Sequence, residues 1–449
     1  MNHSDSLIGI LYEMSRSPFP AEVEKAARIC ILDELGAVYG GAKQLAPEIE
    51  RYFELQPRTE DGASVLGCGR TASMEQAALW GGMCGHIFDI DDGNRFCNYH
   101  PGSGVIPAVL AVCDFCGRSM NDLIRGVVIG YEAAVRVALC AQPSHRMRGH
   151  HTSGTCGAVG AALGCAAALG FGPEQMKSAL AAAAAAASGL LEMQENVSGL
   201  KPYNLGHAAM AGVTAVSLAY AGFVGPEDPL CGKRGLLSVL TDGYKTEPLD
   251  MLPDGHYAVC DTYHKTYAAC RHCHSALDST LAIAEKPGVT PENIRAVTLH
   301  IYAQGAMGHD HKTCPSIVSA KMSVPYAIAL ALATGAAGIP SYTEERLSDP
   351  TILSLLEKIT VVTENELSAE VPQKRPAVVD VELLDGTKYS VRTDIPRGEP
   401  ELPLTMAAFI RKFDDLLVYG GKTPEQAQEI RETILSGDGA VRDLARSLR

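Results

Sequence analysis

Seven consecutive alanines, Ala181–Ala187, lie in a stretch of chain built largely from alanine and glycine. A helix with that surface has no polar face and no bulky side chains, so it gains stability only where other helices approach it closely. The run predicts a helix at the centre of a closely packed helical core, not a linker. Its neighbours fit that setting. Ala21–Tyr39 carries Val23, Ala26, Ala27, Ile29, Cys30, Leu32, Leu35 and Val38, close to a 3.6-residue period. Further helices are expected at Met74–Ile87, Ile106–Cys116, Asp122–Ala141, Gly157–Ala168, Pro173–Ala187 and Gly206–Ala221. Pro107 and Pro173 are expected in first-turn positions, where proline's missing N–H costs nothing.

After about residue 268 the pattern changes. A helix at Ala276–Glu285 precedes a β-rich alternating segment, Ala296–Ile301, and another helix at Val324–Ala333. Strands are expected at Ile359–Thr363, Val378–Leu384 and Tyr389–Thr393, the last two joined by Asp385-Gly386, a strong hairpin signal. Helices return at Thr405–Val418 and Thr423–Leu435. The chain therefore reads as mainly α: a large all-helical domain formed by residues 1–268 and 400–449, with a smaller α+β lid domain over 269–399. A length of 449 residues suits two domains.

The net charge of −14 argues against nucleic acid, which needs a clustered basic face. No membrane partner is expected either. The longest uncharged run, Ser323–Ser341, is interrupted by Pro325, Gly335, Gly338 and Pro340 and reads as a buried helix and a turn. The N-terminus lacks a basic segment followed by an apolar one, so a cytoplasmic location is expected. The 14 cysteines are scattered through apolar helical stretches, as buried thiols in a reducing compartment would be. Two Cys-x-x-Cys spacings occur, Cys113–Cys116 and Cys270–Cys273. The second stands beside His272 and His274, so a zinc site is conceivable there, but the first falls on an apolar helix face. No metal and no other cofactor are expected.

Four polar segments interrupt the small-residue background. His86-Ile-Phe-Asp89-Ile-Asp91-Asp92 is followed by His100-Pro101-Gly102. Three carboxylates so close repel one another unless partnered; Asp91 and Asp92 could cap a helix or fix a loop, and Asp89 could orient His100. Gly149-His150-His151 precedes a helix start, where free N–H groups suit an anion. Lys201-Pro202 lies just before another helix. The fourth segment, Tyr263 to His274, holds Lys265, Tyr267, Cys270, Arg271 and three histidines and falls at the domain junction. It makes a dense cationic patch in an acidic chain, and clefts form at such junctions. An anionic substrate is the natural ligand.

The ordered set Asp-x-Asp-Asp…His-Pro-Gly, Gly-x-His, Lys-Pro…Gly-x-Ala-Ala and Lys-x-Tyr…Cys-Arg-x-x-His…Asp resembles the MmgE/PrpD family, which includes 2-methylcitrate dehydratases, cis-aconitate decarboxylases and iminodisuccinate epimerases. Ala219–Pro226 and Lys321–Tyr326 are similar to members of that family as well. The resemblance implies a helical domain with an α+β lid, a homodimer, and an active site lined by Asp89, His100, His151, Lys201 and Lys265, with Cys270 also present. The sequence departs from the family pattern at Ala268, His150 and Gly93.

The family's reactions share a carbanion next to a carboxylate, which fixed positive groups must stabilise. The resulting expectation is a cofactor-independent acid–base enzyme acting on a small di- or tricarboxylate. Lys265 and His151 are expected as acid–base groups, Asp89 and His100 as an oriented pair, and Lys201, Arg271, Cys270, His150, Asp92 and Tyr267 as substrate-binding residues. Dehydration is the leading outcome, with decarboxylation and epimerisation as alternatives. An iron–sulfur dehydratase would need three or four clustered thiolates, and only isolated pairs are present. A catalytically inactive polycarboxylate-binding protein is the remaining rival.

Overall fold

The computed structural model describes residues 2–57, 59–194, 198–252 and 255–449. The helical part runs through α1 (His3–Arg16), α2 (Ala21–Gln44), α3 (Met74–His86), α4 (Gly102–Phe115), α5 (Met120–Ala141), α6 (Thr152–Leu169), α7 (Pro173–Ala186) and α8 (Tyr203–Tyr220). At its centre stands α6, buried at every residue but Leu169 and packed against α4, α5, α7 and α8. Glycines set the spacing. A Cβ on Gly160 would come within 2.7 Å of the Gly130 carbonyl oxygen, and one on Gly164 within 2.7 Å of that of Gly126. The backbones of α5 and α6 therefore touch. By length and composition α6 could cross a membrane, yet it is enclosed by the fold.

The alanine run occupies the rim of this core, not its centre. Helix α7 buries Met176, Ala179, Leu180, Ala181 and Ala183, whereas Ala185 and Ala186 are exposed. Alanine is the best helix former without any burial, so intrinsic propensity accounts for the run. Pro107 also differs from expectation. Helix α4 begins at Gly102, and Pro107 lies inside it. Its ring rests against Gly81 of α3, where a Cβ would come within 2.7 Å of it.

The remaining part pairs a small sheet with α9 (His274–Ala284) and α10 (Val324–Thr334). Its strands β1 (Ile294–Ile301), β2 (Ile359–Thr363), β3 (Ala377–Leu383) and β4 (Lys388–Thr393) are ordered β2-β1-β3-β4. The β1–β2 pair is parallel and the others antiparallel. Alternate residues of β3, Ala377, Val379, Val381 and Leu383, face the core. Gly386 turns the β3–β4 hairpin at φ 88°, which glycine adopts without strain.

Three C-terminal helices follow, α11 (Met406–Gly420), α12 (Pro424–Ser436) and α13 (Val441–Leu448), and they pack back on the first helices. Gly36 and Gly40 of α2 admit Phe413 and Leu416 of α11. Ala37, Phe88, Ile90 and Leu416 join the hydrophobic cluster of the α+β part, so the seam between the two parts is itself packed. The loop from His86 to Gly102 runs along this seam.

Candidate active site

Helix α3 ends at His86, and the chain then turns sharply. Asp89 takes a left-handed conformation, φ 56°, uncommon for any residue but glycine and tolerated best by Asp and Asn. The turn sends the three carboxylates to separate partners. Asp89 accepts from Lys201 Nζ at 2.8 Å through Oδ2 and from Lys265 Nζ through Oδ1, while its carbonyl accepts from Lys265 at 3.0 Å. Asp91 Oδ2 lies 2.7 Å from His86 Nδ1 and accepts from Ser103 Oγ at 3.2 Å. Asp92 accepts from the Gly102 N–H at 2.8 Å and from the Tyr131 hydroxyl at 2.7 Å, fixing the start of α4.

The expected Asp89–His100 pair does not form. His100 Nδ1 lies 2.6 Å from the Asp92 carbonyl oxygen and 3.5 Å from Asp91, because Asp89 turns the other way, toward the two lysines. Burial depresses the His100 imidazole to about 3 despite Asp91. Burial alone would raise the Asp89 carboxyl, but Lys201 and Lys265 hold it well below the usual carboxylate range. Burial would likewise lower Lys265, and here Asp89 and Asp91 outweigh it and hold the ammonium above its ordinary value. Lys265 is completely enclosed beneath Asp89 and stays protonated, which suits a positioning cation and not a base. Lys321 is the opposite case. Burial lowers its amine to about 8 against the pull of Asp89, and its Nζ reaches the Phe88 carbonyl at 3.3 Å.

His151 precedes the first residue of α6, and its main chain is pinned by a bond from its N–H to the Gly189 carbonyl, 3.0 Å. Its ring is buried, and Nδ1 has no hydrogen-bond partner among the described residues. Burial first, then the charges of His86, His100 and Lys201, lower its pKa well below the ordinary value. The side chain is thus a neutral imidazole with a free nitrogen.

These groups surround a chamber of about 60 Å³. Of the expected residues it is lined by Asp89, His100, His151, Lys201, Cys270 and Arg271, and its other lining residues include Asn98, Arg146, His309 and Arg375. Asn98, Arg146, His309 and Met322 also line a groove of about 1080 Å³, which forms its approach. The two arginines differ from Arg271. Arg271 is neutralised by Glu399, at 2.8 and 3.2 Å, and stacks over Tyr263. Arg375 is buried and donates to Asn98 Oδ1 at 3.2 Å and the Arg95 carbonyl at 3.4 Å, but it meets no carboxylate among the described residues. Arg146 meets no carboxylate among the described residues either. The buried Arg375 guanidinium without a counter-charge carries an uncompensated desolvation cost, shared in part by half-buried Arg146, and a carboxylate ligand would offset it.

Three expected binding residues lie outside the chamber. Tyr267 donates to Asp278 Oδ1 at 2.6 Å and holds the loop carrying Arg397. Asp92 is spent on α4 and Tyr131. His150 leans on His145, ring centroids 5.0 Å apart. Arg146, His309, Lys321 and Arg375 escaped sequence reasoning, since each comes from a segment that only the tertiary fold brings here. The bunching of His145, Arg146 and Arg148 before Gly149 was the available signal for Arg146.

Among the described residues, two groups have donor atoms within 4.8 Å of one another, as a metal would require: Cys270, His272 and His309, and His86, Asp91 and His100. The surrounding charge opposes a dication in both. Lys265 Nζ lies 3.6 Å from Asp91, and Arg146 and Arg375 act on Cys270.

Two family models match the chain, the MmgE/PrpD N-terminal domain over residues 7–249 and the MmgE/PrpD C-terminal domain over residues 267–436. The cis-aconitate decarboxylase-like protein oryM of Aspergillus oryzae is 23% identical over 97% of this chain and 94% of its own length. The cis-aconitate decarboxylase of Mus musculus is 23% identical, covering 91% of this chain and 86% of its own. The mitochondrial 2-methylcitrate dehydratase of Yarrowia lipolytica is 24% identical over 86% and 79%. The motifs, the helical and α+β architecture and both matches agree: the chain belongs to the MmgE/PrpD family and is one of its enzymes.

Proposed function

We propose that this enzyme is a cofactor-independent lyase that removes a proton from the carbon α to a carboxylate of a small di- or tricarboxylate, in the manner of a 2-methylcitrate dehydratase. The observation that carries this reading is that one small chamber is lined by two guanidinium groups, Arg146 and Arg375, that meet no carboxylate among the described residues, and by a neutral imidazole, His151, whose Nδ1 has no hydrogen-bond partner among them. The arginines fix carboxylates bidentately and stabilise the enediolate that develops as the proton leaves. Lys201, held by Asp89, adds a further fixed positive charge.

His151 is the base in this account. Its depressed pKa belongs to the unliganded chamber; bringing two or three carboxylates beside it favours the imidazolium and raises its basicity when substrate is bound. Lys265 supports the arrangement from below by keeping Asp89 ionised. Decarboxylation of an unsaturated tricarboxylate is the second reading, favoured by the length over which cis-aconitate decarboxylases match this chain. Both outcomes use the same carboxylate clamp.

Arg375→Met tests the clamp. Losing a charged hydrogen-bonding partner costs about 1.5–3 kcal/mol, or roughly ten- to hundredfold in KM. Unchanged KM for every polycarboxylate turned over would remove the reading. The active form is proposed to be a homodimer. Ala185 and Ala186 at the end of α7, and Tyr220, Phe223 and Val224 at and beyond the end of α8, are exposed apolar groups that a second copy would cover. Sedimentation as a monomer at working concentration would contradict it.

A further inference from the structure

Cys270 is the one chamber-lining thiol, and it faces a histidine from another part of the chain. Its Sγ lies 4.0 Å from His309 Nε2, and His309 Nδ1 donates to the Met322 carbonyl at 2.9 Å. That second bond fixes the ring with Nε2 toward sulfur. His309 lines both the chamber and the groove, so it can reach a ligand entering from either. Nothing in the mechanism above uses either group.

We propose that Cys270 and His309 form a thiolate–imidazolium pair that supplies the acid for the leaving group, on the chamber wall that complements His151. This rests on the acid–base reading of the site. In a dehydration, the C–H bond breaks and its proton goes to His151, and the electron pair becomes the new C=C bond. The C–O bond to the β-hydroxyl then breaks, and His309 donates its proton so that the oxygen departs as water. The pair is left as thiolate and neutral imidazole, and His151 as imidazolium, so charge is conserved. Loss of a proton from His151 and gain of one by His309, both with solvent, restore the starting state. Cys270 acts through His309 and is a positioning residue; His309 touches the substrate.

The charges around the pair are consistent with it. Burial raises the thiol, but His309 outweighs it and brings Cys270 down to about 6, with Lys201 helping and Asp89 opposing. Burial lowers His309, and Cys270 outweighs it in turn, against Arg146. Arg146 and Arg375 both act on the thiolate, and the His272 ring, 5.0 Å from that of His309, is held neutral by burial. The other 13 cysteines are all shifted upward, so Cys270 is the thiol that ionises first.

The test is the ultraviolet absorbance of thiolate, recorded against pH as the difference between the native protein and Cys270→Ser. It needs neither substrate nor reagent access, so its failure is distinct from failure of the proposed reaction. A midpoint near 6 is expected, moving to or above the ordinary thiol range of roughly 8–9 in His309→Gln. In turnover, His309→Gln lowers kcat by roughly a hundredfold, as loss of a general acid does. Cys270→Ser moves the alkaline limb of the kcat profile to lower pH, a change that a merely structural cysteine would not produce. A native midpoint at or above 8, or one unmoved by His309→Gln, overturns the proposal. So does a thiolate signal that disappears on adding chelator, which would identify a bound metal instead.

Discussion

Asp89 holds two lysine ammonium groups in a space almost closed to water, so neutralising it has a calculable consequence. Asp89→Asn keeps the side-chain shape and the left-handed backbone, which Asn also tolerates, and removes only the charge. Lys265, with no exposed surface, then retains the Asp89 carbonyl and a more distant Asp91 at 3.6 Å. Removing one partner of a buried pair costs about 3–5 kcal/mol; the amide still accepts a hydrogen bond, so a loss near about 3 kcal/mol is expected at pH 7. The pH dependence has a definite sign. Asp89's folded pKa is depressed, so its contribution is present above the unfolded value of about 3.9 and is lost as pH falls through the folded value. Lys265's is raised, so its contribution is fully present below the unfolded value of about 10.4 and is lost as pH rises through the folded value. Chemical denaturation of native and variant proteins at pH 7 and at stepwise lower pH measures both effects. The gap should be constant through neutrality and close below pH 4. A gap under about 1 kcal/mol at pH 7, the size of an exposed pair, or one that does not narrow in acid, would refute the reasoning.

Two further substitutions probe the scaffold. Burial and Asp91 raise the Asp92 carboxyl to about 6, so ionising it as pH climbs from about 4 past 6 destabilises the native state. Asp92→Asn should flatten that part of the stability–pH curve, as denaturation midpoints across it will show. Gly164→Ala places a methyl against the Gly126 carbonyl and should cost about 1–3 kcal/mol by forcing α5 and α6 apart, with a matching fall in thermal midpoint.

Much of the architecture was legible because apolar periodicity is local. The helices now seen as α2, α3, α5, α10, α11 and α12 and the β3–β4 hairpin fall close to where spacing and turn residues put them. The helices His3–Arg16 and Ala46–Glu54 and the small hairpin of Ala63–Val65 with Arg70–Ala72 were not foreseen. Alanine misled, since a featureless run says helix but not depth, and α7 ends at the surface. In the site, Asp89, His100 and His151 stood out in short polar segments against an apolar background, whereas Lys201 and Cys270 were singled out through the resemblance to the family; all five line the chamber. Their pairing was not. Whether Asp89 turns to His100 or to the lysines depends on one left-handed residue, which no spacing encodes. Arg146, His309 and Arg375 are remote in sequence from each other, and only the packed seam between the helical and α+β parts collects them.

The central claim is proton abstraction next to a carboxylate without a cofactor. Proton NMR in heavy water, with citrate, 2-methylcitrate, cis-aconitate and iminodisuccinate supplied in turn and chelator present, tests it most directly. The account predicts solvent exchange or product formation for at least one of them, lost in His151→Asn. Exchange that survives His151→Asn, or chemistry that appears only when metal is restored, would contradict it.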